Sequence, residues 1–352
     1  MSKKHFSVLL LVTVVVAVLV LLIPGRTARE NAFQKHRLLP GLAALVNDIE
    51  YVRLIGAGGE TIATMNRHGG NWLVAESSDY RADWTVLRQL LSDLAAAEVI
   101  ERKTSNPELY TRLGVEDVGG PDAAGVLIGF AEETGLPSLI VGNKAQGRQG
   151  HYVRFSGSDQ SALIDRALTV PGDMQQWLER EIIDIQQAEL VEISVTHPDG
   201  EQIVLKKASA DDTDFELQKI PAAREVKSNW TVNSIGGGMA ALRLDAVVRA
   251  SDVDWSDAVK ISVLTADGLQ VSAQLVSKED QHWISLSASV YRPARSQELV
   301  EADVETHAPL EPTERVNRIT DRVSGWAYAI PQYKAEVLMK RMDDLLKPLD
   351  TG

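Results

Sequence analysis

Hydrophobic residues follow three different patterns along this chain. The first is an unbroken apolar run, Phe6 to Ile23 (FSVLLLVTVVVAVLVLLI), preceded by Lys3 and Lys4 and closed by Pro24-Gly25-Arg26. Val, Leu and Ile surround its whole circumference, so it lacks the polar stripe of a surface helix. As a helix it would rise about 27 Å, close to the thickness of a bilayer's hydrocarbon core. Residues 6–23 therefore read as a membrane anchor, and 1–29 as tail plus anchor. A cleaved signal peptide is the competing reading. Against it, the run exceeds the roughly 7–15 residues of a signal peptide's apolar core, and Arg26 stands where cleavage after Ala28 would need a small residue.

The second pattern is alternation with a period of two, the mark of half-buried strands. Strands are predicted around Val52 and Leu54, from Glu60 after a Gly58-Gly59 turn, at Asn71-Trp72-Leu73-Val74, and at Val126–Phe130, Leu139–Gly142 and His151–Phe155. Further along, Val191, Ile193 and Val195 alternate with polar residues, an Asp199-Gly200 turn follows, and Ile203–Leu205 returns. Phe215 and Leu217 take the place that Trp72 holds earlier. Strands at Val259–Val263 and Leu269–Leu275 follow. In the latter, Leu269, Val271, Ala273 and Leu275 alternate with Gln270, Ser272 and Gln274, giving one buried and one wetted face.

The third pattern is spacing by three and four. After Asp83, the residues Trp84, Leu87, Leu91 and Leu94 share one helical face. Asn106-Pro107 forms a cap and first-turn pair for a short helix that stops at Gly114. Helices are also expected around Met174, Trp177, Leu178 and Ile182, from Met239 to Val248, and from Tyr333 to Lys347. Gln297 to Arg322 reads as an acidic excursion, and Gly325 to Pro331 as a last strand. The order strand, turn, strand, strand, helix, then more strands occurs twice. The expected fold class is α+β, with a single N-terminal transmembrane helix and two antiparallel-sheet-plus-helix domains, 30–180 and 181–352, that fit a duplication.

Charge narrows the partners. All 49 acidic residues and 32 of the 36 lysines and arginines lie in residues 30–352, which carry a formal charge of −17. Such a surface repels phosphate backbones, so no nucleic acid is expected as a partner. With no cysteine in the chain, disulfides, thiolate zinc sites and cysteine nucleophiles are excluded. Lys3 and Lys4 before the apolar run face Arg26, Arg29, Lys35 and Arg37 after it, so the basic count does not favour a cytoplasmic N-terminus. A tail of five residues before a long apolar run has the form of a signal anchor. The expected location is a bacterial inner membrane, single-pass, with the body in the periplasm.

No catalytic, cofactor-binding or metal-binding residue is assigned from the sequence, and no ligand-binding residue can be named. His5, His36, His68, His151, His197, His282 and His307 are scattered, with no pair at ligand spacing. Ser156-Gly157-Ser158 lacks the frame of a serine nucleophile and reads as a turn. Gly56-Ala57-Gly58-Gly59 reads as a hairpin turn rather than a dinucleotide site. Gly142 to Gly147 has the glycine interval of a phosphate loop, but Arg148-Gln149 stand where Lys and Ser or Thr are required. Gly236-Gly237-Gly238 reads as a flexible helix entry, with an anion site as the alternative. Trp72, Trp84, Trp177, Trp230, Trp283 and Trp326 fall in apolar patterns where core packing is the default. The Asn229-Trp230-Thr231 sequon means little in a bacterial protein.

Four motifs recur in order: Asn71-Trp72-Leu73-Val74 with Ala82-Asp83 and a leucine-rich helix; Glu108-Leu109-Tyr110-Thr111-Arg112-Leu113-Gly114; Leu139-Ile140-Val141-Gly142-Asn143; and His151-Tyr152-Val153-Arg154. Together they resemble the domain-of-unknown-function family 4340, best over residues 50–175. The resemblance implies a bacterial, membrane-anchored protein encoded beside ABC transporters of the gliding-motility type. It carries over fold markers and no catalytic residue. The expectation is a non-enzymatic periplasmic auxiliary subunit that contacts the permease or ATPase subunits of an ABC transporter, or its cargo. A tethered envelope glycan- or lipid-binding protein is the alternative, and an envelope hydrolase a third.

Overall fold

The computed structural model describes residues 13, 33–278, 280–292 and 312–348. The 6–23 anchor (Thr13 apart) and residues 297–311 of the acidic excursion lie outside the described residues. Among the described residues no helix is long and apolar enough to cross a membrane. The body is α+β, every paired strand being antiparallel and the helices few. The chain divides into two compact units, 1–67 with 85–172, and 68–84 with 173–352.

The first unit begins with β1 (His36–Arg37), β2 (Tyr51–Ile55) and β3 (Thr61–His68). The hairpin of β4 (Asn71–Val74) and β5 (Tyr80–Arg81) goes with the second unit. Then come helix α1 (Trp84–Ala96), β6 (Glu98–Arg102), the short helix α2 (Tyr110–Leu113), β7 (Val126–Phe130), β8 (Leu139–Lys144), β9 (His151–Phe155) and β10 (Ser161–Ile164). Strand β2 pairs with β3 on one side and β7 on the other. From β7 a meander runs through β8, β9 and β10, and β10 pairs back to β6. Helix α1 buries Leu87, Leu90, Leu91 and Leu94, each contributing on the order of 2 kcal/mol of transfer free energy. Trp84 is not on that face; it is half exposed and stacks on Trp72.

The second unit contains β11 (Glu181–Ile183), β12 (Leu190–Thr196), β13 (Gln202–Lys206), β14 (Glu216–Leu217) and helix α3 (Asn229–Met239). These are followed by β15 (Leu242–Arg243), β16 (Ala246–Arg249), β17 (Val259–Thr265), β18 (Leu269–Lys278) and β19 (Gln281–Val290). Helix α4 (Pro312–Val323), β20 (Trp326–Ile330), α5 (Gln332–Leu338) and α6 (Met342–Leu345) complete it. Strand β12 pairs with β13 and with β17; a meander runs β17, β18, β19, β20, and β20 pairs back to β16. Strand for strand, this is the pairing order of the first unit, with α3 standing where α1 stands.

Four sequence expectations are corrected. The helix expected from Met239 to Val248 lies earlier, at Asn229–Met239, because Ser228 caps it by accepting from Thr231 N at 3.2 Å. The helix expected around Met174 to Ile182 is a short 3-10 turn followed by β11. Ile182, Ile183 and Ile185 are all buried there, a burial on both faces that suits a strand rather than one helical stripe. The Tyr333–Lys347 helix breaks between α5 and α6. There the His197 ring meets Lys340 O at 3.0 Å, while Arg341 pairs with Asp199 and Glu201. Residues 312–322 of the expected excursion are helical. Arg315 ties α4 to Glu189 and Asp267, and Arg322 ties it to Glu179 and Glu181.

The β4–β5 hairpin is seated by aromatic packing within the second unit. The Tyr80 ring meets Trp326 edge-on at 5.0 Å and Tyr328 at 5.9 Å. Tyr80 Oη donates to Glu179 O and Tyr328 Oη to Arg322 O, both at 3.2 Å. Burial pushes the Tyr80 phenol up to about 12 and raises that of Tyr328 as well, so both hydroxyls stay protonated donors.

Gly236-Gly237-Gly238 occupy the last turns of α3, not its start, and this corrects both readings made for them. The carbonyls exposed there take a cation: Lys334 Nζ donates to Gly237 O at 2.6 Å and to Ala240 O at 2.8 Å. The glycines permit close packing. A methyl on Gly238 would stand 2.7 Å from Leu338 Cγ, and one on Gly237 only 3.4 Å from Gln187 Oε1. Opposite signs are expected for two neighbouring substitutions. Gly237→Ala should stabilise by about 0.5–1 kcal/mol through helix propensity, and Gly238→Ala should destabilise by about 1–3 kcal/mol through overpacking. Urea midpoints of the two variants check this.

Candidate functional site

Three of the four motifs that carry the family resemblance, at 108–114, 139–143 and 151–154, converge in the first unit, while the one at 71–74 and 82–83 belongs to the second. Asn106 caps the turn before α2 by accepting from Glu108 N at 3.1 Å, and Gly114 closes α2 with φ +67°. Tyr110 packs in a cluster with Val115, Ile140, Leu113, Leu127 and Tyr152, and its hydroxyl donates to Asp159 O at 2.5 Å. Over its ring, at 4.6 Å, lies the guanidinium of Arg154, which is 4% exposed. Arg154 Nε donates to Val115 O at 2.7 Å and Nη1 to Ser158 O at 2.9 Å, while Nη2 pairs with Asp117. One buried cation thus satisfies two loop carbonyls that would otherwise be costly to desolvate.

The glycine at 142 belongs to the same knot. A side chain on Gly142 would strike Leu113 O and stand 2.6 Å from Gly114 O, and one on Gly125 would be 2.9 Å from Ile140 Cγ2. These glycines let two backbone segments touch, a packing role that accounts for the phosphate-loop-like interval. At the hairpin between β2 and β3, Gly58 and Gly59 have φ of +68° and +74°. Their amides donate to Gly120 O and Val118 O, so the turn reading stands. Ser156-Gly157-Ser158 is likewise a turn, with Gly157 at φ +77°.

The described histidines serve separate local ends. His36 and His68 are exposed, and His282 Nδ1 meets Ser277 Oγ at 2.7 Å. His197 is buried in the turn that grips the α5–α6 break. His151 Nδ1 accepts from Leu168 N at 3.0 Å. His5 and His307 lie outside the described residues. Among the described residues no group of His, Asp and Glu is placed to hold a metal ion. Of the six tryptophans expected in the core, Trp72 and Trp177 are buried, Trp283 and Trp326 are half-buried, and Trp84 and Trp230 are 49% and 78% exposed.

An open surface appears instead in the second unit. Register pairs Ser194 with Ser262, Ser262 with Ser272, and Ser272 with Ser287, a row of four hydroxyls across β12, β17, β18 and β19. The opposite face of these strands carries Ile193, Val263, Val271 and Leu286 and is buried, with Ile193 beneath Gly236 of α3. An open depression of about 420 Å³ lies over the serine row. Among the described residues the hydroxyls of Ser194, Ser272 and Ser287 have no hydrogen-bond partner, while Ser262 accepts from Gln270 Nε2 at 3.0 Å. The alternation in β18 was readable; the alignment of serines across four strands was not, because register depends on pairing.

Fold and site define an α+β protein of antiparallel sheets, its motif residues committed to packing. The chain belongs to the family described as Domain of unknown function (DUF4340), whose profile matches residues 72–263, more than half its length. No curated protein and no solved structure matches it.

Burial pulls the His151 imidazolium below its ordinary range, and Lys144 adds to the effect. The folded state therefore prefers the neutral ring, and the unfolded chain binds the extra proton. That contribution to stability is full above the unfolded value of about 6.5 and is lost as pH falls through the lower folded value. The urea midpoint should drop between pH 7.5 and 5.5, and His151→Asn should flatten that drop. An equal drop in the variant would show that His151 does not control it.

Proposed function

We propose that this chain is a non-enzymatic, membrane-anchored periplasmic auxiliary subunit of an ABC-type transport system, acting by binding a partner protein or cargo. The observation that carries this reading is the use to which the charged side chains are put. Arg154, Arg315, Arg322, Lys334 and Arg341 each fasten a loop, turn or helix in place. Among the described residues, one polar surface whose serine hydroxyls lack internal partners is a sheet face, a shape suited to contact. The apolar run at 6–23 supplies the tether, and the resemblance to family 4340 supplies the transporter. The strand order that the two units share, β3-β2-β7-β8-β9-β10-β6 against β13-β12-β17-β18-β19-β20-β16, supports an origin by duplication. A tethered glycan-binding protein is the second reading, and the neutral hydroxyls of the same face favour it.

The test uses the intact protein in native membranes of its bacterial host. Crosslinking followed by mass spectrometry should recover a transporter permease or ATPase subunit with it. Repeated recovery of neither would overturn the proposal.

A further inference from the structure

The geometry points to a polysaccharide-binding platform on the open sheet face of the second unit, with Trp283 as its stacking residue. This inference rests on the binding role proposed above and names the site and the ligand class. Strand β19 alternates, so Trp283, Ser285 and Ser287 share one face, opposite Ile284 and Leu286, which are buried. Trp283 lies about 7 Å along the strand from Ser285, given roughly 3.4 Å per residue. A second open depression, of about 800 Å³, has Trp283 in its wall with Gln281, Asp252 and Asp254. The serine row starts at Ser287, four residues or about 14 Å along β19 from Trp283, and crosses four strands, about 14 Å at roughly 4.8 Å per strand. Parallel to that row, register aligns Thr196, Lys260, Gln274 and Ser285.

The chemistry selects the occupant. Hydroxyls and amides both donate and accept, which matches the hydroxyls of a sugar chain. An indole offers a flat apolar face to the C–H side of a pyranose ring, with a polar edge beside it. A lipid tail would leave the serine hydroxyls desolvated without partners. A nucleic acid would need a run of cations, and Lys260 is the only charged residue in the two rows. In a body of formal charge −17, the two rows carry one lysine and no carboxylate, and the Trp283 depression adds Lys278 paired with Asp254 and the carboxylate of Asp252, a nearly balanced patch that suits a neutral chain. Serine is also not among the residues that strands favour, so four in register point to a demand other than sheet formation.

The test is calorimetric titration of the full-length protein in detergent with chitohexaose and, separately, with soluble uncrosslinked peptidoglycan strands. Binding of at least one probe is expected. Trp283→Ala should weaken it at least tenfold, and so should the double variant Ser272→Asp with Ser287→Asp. The double variant sits at exposed positions, and an unchanged urea midpoint verifies its fold should Trp283→Ala prove unstable. Binding of neither probe, or binding that a folded double variant leaves intact, would overturn the platform. Transporter subunits still recovered by crosslinking in that event would leave the binding-subunit role standing and remove only this face.

Discussion

Alternation through the β17–β18–β19 meander is the constraint on which the second unit depends. Val259, Ile261 and Val263 pair with Leu275, Ala273 and Val271, and the latter with Ile284, Leu286 and Ala288. The pairing gathers apolar side chains onto one face, and α3 closes over that face at Gly236, where an added methyl would meet Phe215, Gln187 and Ile193. The other face receives Lys260, Ser262, Ser272, Gln274, Ser285 and Ser287 from the same strands. A slip of one residue would exchange the two faces. Core, helix packing and open surface thus follow from one register.

Glycines and buried cations do complementary work around these sheets. Gly142 and Gly125 allow the loop after α2 to lie against β8, and Arg154 then satisfies Val115 O in that loop together with Ser158 O in the turn after β9. Gly238 allows α5 to approach α3, and Lys334 takes up the carbonyls at the helix end. In both units a close approach of backbone leaves acceptors exposed to a low-dielectric setting, and a long basic side chain answers them.

Much of the strand architecture was legible because each strand carries its own signal. Val126–Phe130 and His151–Phe155 fall where alternation put them, and Gly114 ends α2 because the chain needs φ +67° there. Strand β19 and the short strands β6, β10 and β16 were not anticipated, although Ile284, Leu286, Ala288 and Val290 do alternate. The helices near Met239 and Ile182 were misplaced, since apolar spacing alone does not separate a buried strand from a helix stripe. The Tyr333–Lys347 helix was drawn too long because its break depends on Asp199 and Glu201, distant in sequence. The serine row was invisible for the same reason. Its members are single polar residues in four strands, and only pairing makes them one surface.

The absence of cysteine permits one direct measurement of the central claim, that the serine-bearing face is a solvent-facing surface outside the inner membrane. Single cysteines would be introduced by Ser272→Cys, Ser287→Cys and Ala273→Cys in the full-length protein and probed with a membrane-impermeant maleimide. The cells would have permeabilised outer membranes and intact inner membranes. Rapid labelling at 272 and 287 with protection at 273 is the result the account predicts. Equal protection at all three positions, or labelling of 272 and 287 only after cell lysis, would contradict it.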